Sequence, residues 1–205
     1  MFKDYGAFSM LAAALLFACS ASEANHGAAA PTDSEAVGAR SEQLKSFPPQ
    51  PPPPLPSPIL AVPDDHQLAF YYDAIGVQIY TCQATGTGYA WIFQAPEASL
   101  FDRRGHLIVK HYRGPTWESI SDHSTVMAKK VQEFAAHVSA IPELLLQATT
   151  HTGKGLLDDV SYIQRLDTVG GLAPTSGCDS THVAATARVD YTATYFFSRP
   201  RSHCK

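Results

Sequence analysis

The side chains best suited to proton transfer in this chain of 205 residues are its nine histidines. Eight of them, His66, His106, His111, His123, His137, His151, His182 and His203, follow residue 62. None forms H-x-H or H-E-x-x-H, the spacings that place two imidazoles on one ion, so the sequence assigns no metal and no cofactor. The most suggestive set is His111 and Glu118, which flank Gly114-Pro115-Thr116-Trp117, with His151 at the end of an apolar run. Imidazole beside carboxylate is the pairing of a general base. His111, Glu118 and His151 are therefore the candidate catalytic residues of a secreted hydrolase. The plainer reading makes all three exposed or hydrogen-bonded structural residues.

Two further groups could hold a ligand without turning it over. Gln164-Arg165 interrupts the apolar run Val160–Leu166, and alternation puts Gln164 on one face and Arg165 on the other. A buried amide must be hydrogen-bonded, either to fix register or to meet a ligand. Arg165 is suited to an anionic or sugar group. Trp117, on its Gly-Pro turn, is the expected exposed aromatic, and Trp91, Tyr80, Tyr89, Tyr112, Tyr191 and Tyr195 add a supply that stacks on sugars or fills a core. Scattered acids, Glu97, Asp102, Glu118 and Asp122, offer a glycosidase pair only if folding brings two of them about 5 to 9.5 Å apart. There is no G-x-S-x-G or phosphate-cradling loop, and Gly86-x-Gly88 and Gly153-x-Gly155 lack the third glycine of a dinucleotide fingerprint.

The elements that would position these groups read as strands. Leu68–Tyr72, Gly76–Cys82, Tyr89–Phe93, Leu107–Tyr112, Ser124–Val131, Leu144–Thr150, Val160–Leu166 and Ala187–Phe197 are β-branched or aromatic, with Gly and Pro turns between them. Ala128–Ala140 has the alternative of a short helix, since Val131, Phe134, Ala135 and Val138 recur at helical spacing. The expected fold is all-β, an antiparallel sandwich or barrel with at most one or two short helices, over residues 62–200, followed by a tail at 201–205.

What precedes the domain reads as export machinery. Lys3 and a short apolar run form a signal peptide over residues 1–19, too short to span a bilayer. Leu16-Phe17-Ala18-Cys19 is similar to a lipoprotein cleavage box, which makes Cys19 the lipidation site and the membrane a partner; cleavage after Ala21 is the alternative. Residues 20–61 are an Ala- and Pro-rich linker with little to bury, expected to be disordered and to end as polyproline II. In an oxidising compartment Cys82 and Cys178 are the natural disulfide, Cys178–Cys204 the rival pairing. The net charge of −4 without clustered Lys and Arg excludes a nucleic-acid partner.

Several runs together resemble the uncharacterised family catalogued as domain of unknown function 3455. They are Gly76-Val77-Gln78-Ile79-Tyr80-Thr81-Cys82, His111-Tyr112-Arg113-Gly114-Pro115-Thr116-Trp117-Glu118, Val160-Ser161-Tyr162-Ile163-Gln164-Arg165-Leu166, Gly170-Gly171-Leu172-Ala173-Pro174 and Tyr191-Thr192-Ala193-Thr194-Tyr195-Phe196-Phe197. The chain departs from the pattern at Glu143, where an aromatic is usual, and at Asp122-His123-Ser124, where the family has Asp-Gly-Ser. The resemblance implies a secreted or envelope protein and carries no catalytic residues with it. The reading that follows is a tethered extracytoplasmic β domain, structural or holding a small-molecule or saccharide ligand, with the hydrolase as its rival.

Overall fold

The computed structural model describes residues 51–201; the signal peptide, Cys19, the first part of the linker, His203 and Cys204 lie outside the described residues. Eight antiparallel strands in chain order form one closed barrel. They are β1 (His66–Thr85), β2 (Gly88–Phe101), β3 (Leu107–Tyr112), β4 (Thr116–Ser119), β5 (Thr125–Phe134), β6 (Glu143–Thr152), β7 (Tyr162–Gly170) and β8 (Thr186–Pro200). β1 pairs with β2 on one side and β8 on the other, so no backbone edge is left to template aggregation.

Period-two alternation decides what enters the barrel. Along β1, Tyr72, Ala74, Gln78, Tyr80 and Cys82 are buried while Asp73 and Ile75 face solvent. Two strand candidates, Leu68–Tyr72 and Gly76–Cys82, belong to this single strand because Asp73, Ala74 and Ile75 stay paired with Thr194, Ala193 and Thr192. The four-residue β4, which reads as a turn in the sequence, is a full member of the ladder between β3 and β5.

The helix alternative over Ala128–Ala140 is not what forms. Residues up to Phe134 are β5, paired with β6, and the chain then runs as a loop to Pro142. Of the helically spaced residues Phe134 packs on the outside of the barrel, while Val131 is exposed and Val138 wholly so. Tertiary pairing overrides the local period here. Among the described residues the single helical element is one 3-10 turn, Pro58–Leu60.

Antiparallel connectivity sorts the loops to two ends. The β2–β3, β4–β5 and β6–β7 connections share one end, which is plugged from inside. Leu156, Leu157 and Val160 of the β6–β7 loop are fully buried and join Tyr72, Leu100, Val109, Val126 and Phe197 in the barrel core. Asp122 fastens this plug, accepting hydrogen bonds from the Ser124 amide (2.9 Å), the Ser124 hydroxyl (2.6 Å) and the Leu156 amide (2.9 Å). Ser124 Oγ in turn accepts from the Leu157 amide at 3.1 Å. Gly155 is required there: at φ +147° a Cβ would meet the Asp122 carboxylate at 2.2 Å. His123 has φ 56°, in the left-handed region that glycine adopts most readily.

A second, smaller core lies on the outside of the barrel. Leu60 (0% exposed), Leu145 and Leu166 pack together with Leu55, Val62, Phe134, Tyr162 and Phe196. Gln164 Nε2 donates to the Leu60 carbonyl at 2.7 Å. The end of the Pro-rich segment is thus a strap on β5, β6, β7 and β8, and packed chain begins before Val62.

At the other end, Cys82 and Cys178 form a disulfide (Cα–Cα 5.3 Å) that ties β1 to the long β7–β8 loop. Tyr80 Oη donates to Gly171 O at 2.6 Å and Trp91 Nε1 to Ser176 O at 2.8 Å, holding the same loop. Among the described residues no helix is long and apolar enough to cross a membrane.

Candidate functional site at the open end

The end carrying the β3–β4, β5–β6 and β7–β8 connections is not plugged. It leaves a cavity of about 470 Å³, a size at which small-molecule sites begin to enclose their ligands. Its wall is mostly apolar, with Pro96, Pro115, Ile141, Pro142, Leu144 and Leu146 among the lining residues. Phe93, half-exposed, and the Lys130–Glu133 ion pair stand at the rim.

The inner end is polar and buried. His111 and Trp117, directly opposite each other on β3 and β4, stack at 4.2 Å with their planes 11° apart. Tyr195 meets the Trp117 ring edge-on at 5.8 Å, and its hydroxyl lies 3.2 Å from that of Tyr191. His111 Nδ1 donates to the Thr116 carbonyl at 2.9 Å. Burial, aided by the Arg165 charge and opposed by that hydrogen bond, pushes the imidazole pKa down to about 3. His111 is therefore neutral at pH 7, with Nε2 carrying the lone pair.

Arg165 enters this space from β7, opposite Leu144 on β6 and Tyr195 on β8. It is 8% exposed, and one of its terminal nitrogens donates to the Pro142 carbonyl at 2.7 Å. Its Nε has no partner, and no carboxylate among the described residues forms an ion pair with it. Gln78 Nε2 and Trp117 Nε1, from the same lining, are likewise buried without a hydrogen-bond partner. Three unpaired donors at the end of one cavity are the opposite of what burial ordinarily enforces.

The sequence candidates distribute unevenly over this geometry. Arg165 and His111 line the cavity, and so does Trp117, though it is 1% exposed rather than displayed on its turn. The reason is register: Thr116–Ser119 is a strand, and alternation sends Trp117 inward and Glu118 outward. Gln164 faces the outer core, where Leu60 satisfies it, and so makes no contribution to the cavity. Glu118, on the outer face, accepts from His123 Nδ1 (3.1 Å) and Tyr112 Oη (2.9 Å); these bonds hold its carboxyl below the usual range. His151 Nε2 donates to the Val160 carbonyl at 2.7 Å toward the plugged end. No hydrogen bond or ion pair joins any two of His111, Glu118 and His151.

The acids offered as a glycosidase pair are equally dispersed. Asp102 accepts from His106 and Arg104 in its own turn, Asp122 fastens the plug, and Glu97 faces Arg188 outside at 3.0 Å. Of the lining residues only Glu133 is acidic, and Lys130 neutralises it. Glu143 accepts from the Asp167 amide at 3.0 Å, and burial pushes its pKa up. Gln78 was not singled out from the sequence, yet Gly76, Gln78, Tyr80 and Cys82 share the inward face, and a glutamine in that row signals a buried amide.

The model of the family described as "Protein of unknown function (DUF3455)" matches residues 63–199, which is the whole barrel from the residue before Asp64 to the penultimate residue of β8. Neither the curated proteins nor the solved structures contain a match to the chain.

Proposed function

For this chain, which belongs to the DUF3455 family of proteins of unknown function, we propose a non-enzymatic extracytoplasmic domain that takes a small molecule into the open end of its barrel. The observation that carries the reading is the asymmetry of the barrel's interior. One end is filled by Leu156, Leu157 and Val160, while the other retains a cavity whose inner end holds buried polar groups. A domain that were only structural would gain by filling that space with apolar side chains, since each unpaired buried donor costs about 1–3 kcal/mol. The disulfide fits export to an oxidising compartment. Nothing in the dispersed positions of His111, Glu118 and His151 supports a hydrolase.

Export and tethering complete the proposal. A lipid on Cys19 would leave residues 20–54 as a leash between the membrane and the strap. The test of binding is a thermal-shift screen of the full-length chain against metabolites and glycans, repeated on Leu144→Trp, which narrows the cavity. Hits that raise the midpoint of the wild type and not of the variant are the expected result. A screen whose hits all survive the substitution would put binding elsewhere and refute the open-end site.

A further inference from the structure

We propose that the ligand of the open end is an anionic amphiphile, an organic acid whose oxyanion head is held by Arg165, Gln78 and Trp117 and whose apolar body runs outward toward Phe93. This deepens the small-molecule reading above and rests on it. The head group follows from what the inner end supplies. Arg165 brings a charge with no counter-ion, and Arg165 Nε, Gln78 Nε2 and Trp117 Nε1 are all donors lacking acceptors. A deprotonated carboxylate answers this set, being acceptor-only with about four lone-pair sites. It also compensates a buried guanidinium that is otherwise costly to keep out of water.

Other classes match less well. Each of a sugar's several hydroxyls carries a proton that needs an acceptor, and beside His111 Nε2 the lining's one carboxylate, Glu133, is at the rim and paired. A cationic ligand would meet Arg165 directly. The body of the ligand follows from the gradient in the wall. Gln78, Trp117 and Arg165 are 3%, 1% and 8% exposed, whereas Phe93 is 49% exposed, so the donors lie inside and the exposed apolar surface lies at the mouth. Around the donors the wall is apolar, with Pro115, Pro142, Leu144 and Leu146 in the same lining. A head-in, tail-out pose satisfies both halves.

The experiment is titration calorimetry of the full-length chain with decanoate, decanol and decyltrimethylammonium, which share a tail and differ in head. Decanoate should bind at least about tenfold tighter than decanol, with the cation weakest, as charge-assisted bonds to Arg165 would give. Arg165→Gln should erase that preference. Because Arg165 also holds the Pro142 carbonyl, Gln78→Leu serves as the second variant. It removes an unpaired donor and breaks no bond, so its unfolding midpoint should be unchanged or raised while decanoate binding weakens several-fold. Equal affinity for all three heads overturns the anionic class and leaves the open-end site standing. A decanoate preference that persists in Arg165→Gln and Gln78→Leu overturns the assigned head site. Binding of none of the three overturns both this inference and the reading beneath it.

Discussion

The two ends of the barrel are built from the same strands and solve the same problem in opposite ways. At the plugged end, Asp122 and Ser124 meet the amides of Leu156 and Leu157, and three apolar side chains fill the space behind them. At the open end, donors of comparable burial have no partner among the protein groups, and they line a cavity of about 470 Å³. A chain able to close one end so completely has the means to close the other. The difference teaches that the open end is shaped by something besides stability, which is how functional sites usually betray themselves.

The largest effect should come from the tie that holds the open end's long loop. Replacing Cys82 and Cys178 together by Ala should cost about 4–5 kcal/mol by the chain-entropy account of a loop with sequence separation 96, read from urea midpoints. A loss under about 1 kcal/mol would show that the loop is held by packing instead, like the plug. Next in size, Leu157→Ala should cost about 2–5 kcal/mol, because a fully buried side chain leaves a cavity. Gln78→Leu, at similar burial, should cost nothing. Equal losses for the two would erase the contrast between the ends.

Over the mild range from pH 7 to pH 5 the effect is a pH slope. Burial holds the His111 pKa at about 3 against an ordinary 6.5, so between those values the unfolded chain binds a proton that the folded barrel refuses. Its contribution to stability is therefore full above pH 6.5 and is lost as pH falls toward 3, by at most about 1.4 kcal/mol per pH unit. His111→Asn should flatten the dependence of the urea midpoint between pH 7 and pH 5. An unchanged slope would mean that another group carries it.

Much of this architecture is legible in the residues. Alternating β-branched and aromatic runs with Gly and Pro punctuation specify an all-β fold, and the split of Gln164 from Arg165 follows from period two alone. The disulfide, too, could be chosen from cysteine positions. What the chain did not disclose was closure: whether β1 meets β8 depends on strand tilt and register, which no local pattern encodes. The same gap hid β4, whose four residues are too few to show alternation, and with it the direction of Trp117. His111 and Glu118 looked convergent because they flank one turn, with His151 added from a strand end, but Glu118 follows the inward Trp117 on β4 and so faces outward, and His151 is held by Val160 toward the plugged end. Gln78 escaped notice for the reverse reason, a polar residue inside an apolar run that only a barrel turns into a cavity wall.

The strap formed by the end of the Pro-rich segment has a mechanical consequence. The chain reaches β1 only after Leu60 has docked on the outside of the barrel and Gln164 has gripped its carbonyl. Tension applied from the N-terminal side is therefore taken first by that outer contact, which must slide before any force reaches His66. The seam between β1 and β8, whose rupture would open the barrel, thus lies behind a contact that a pull from the N-terminal side meets first.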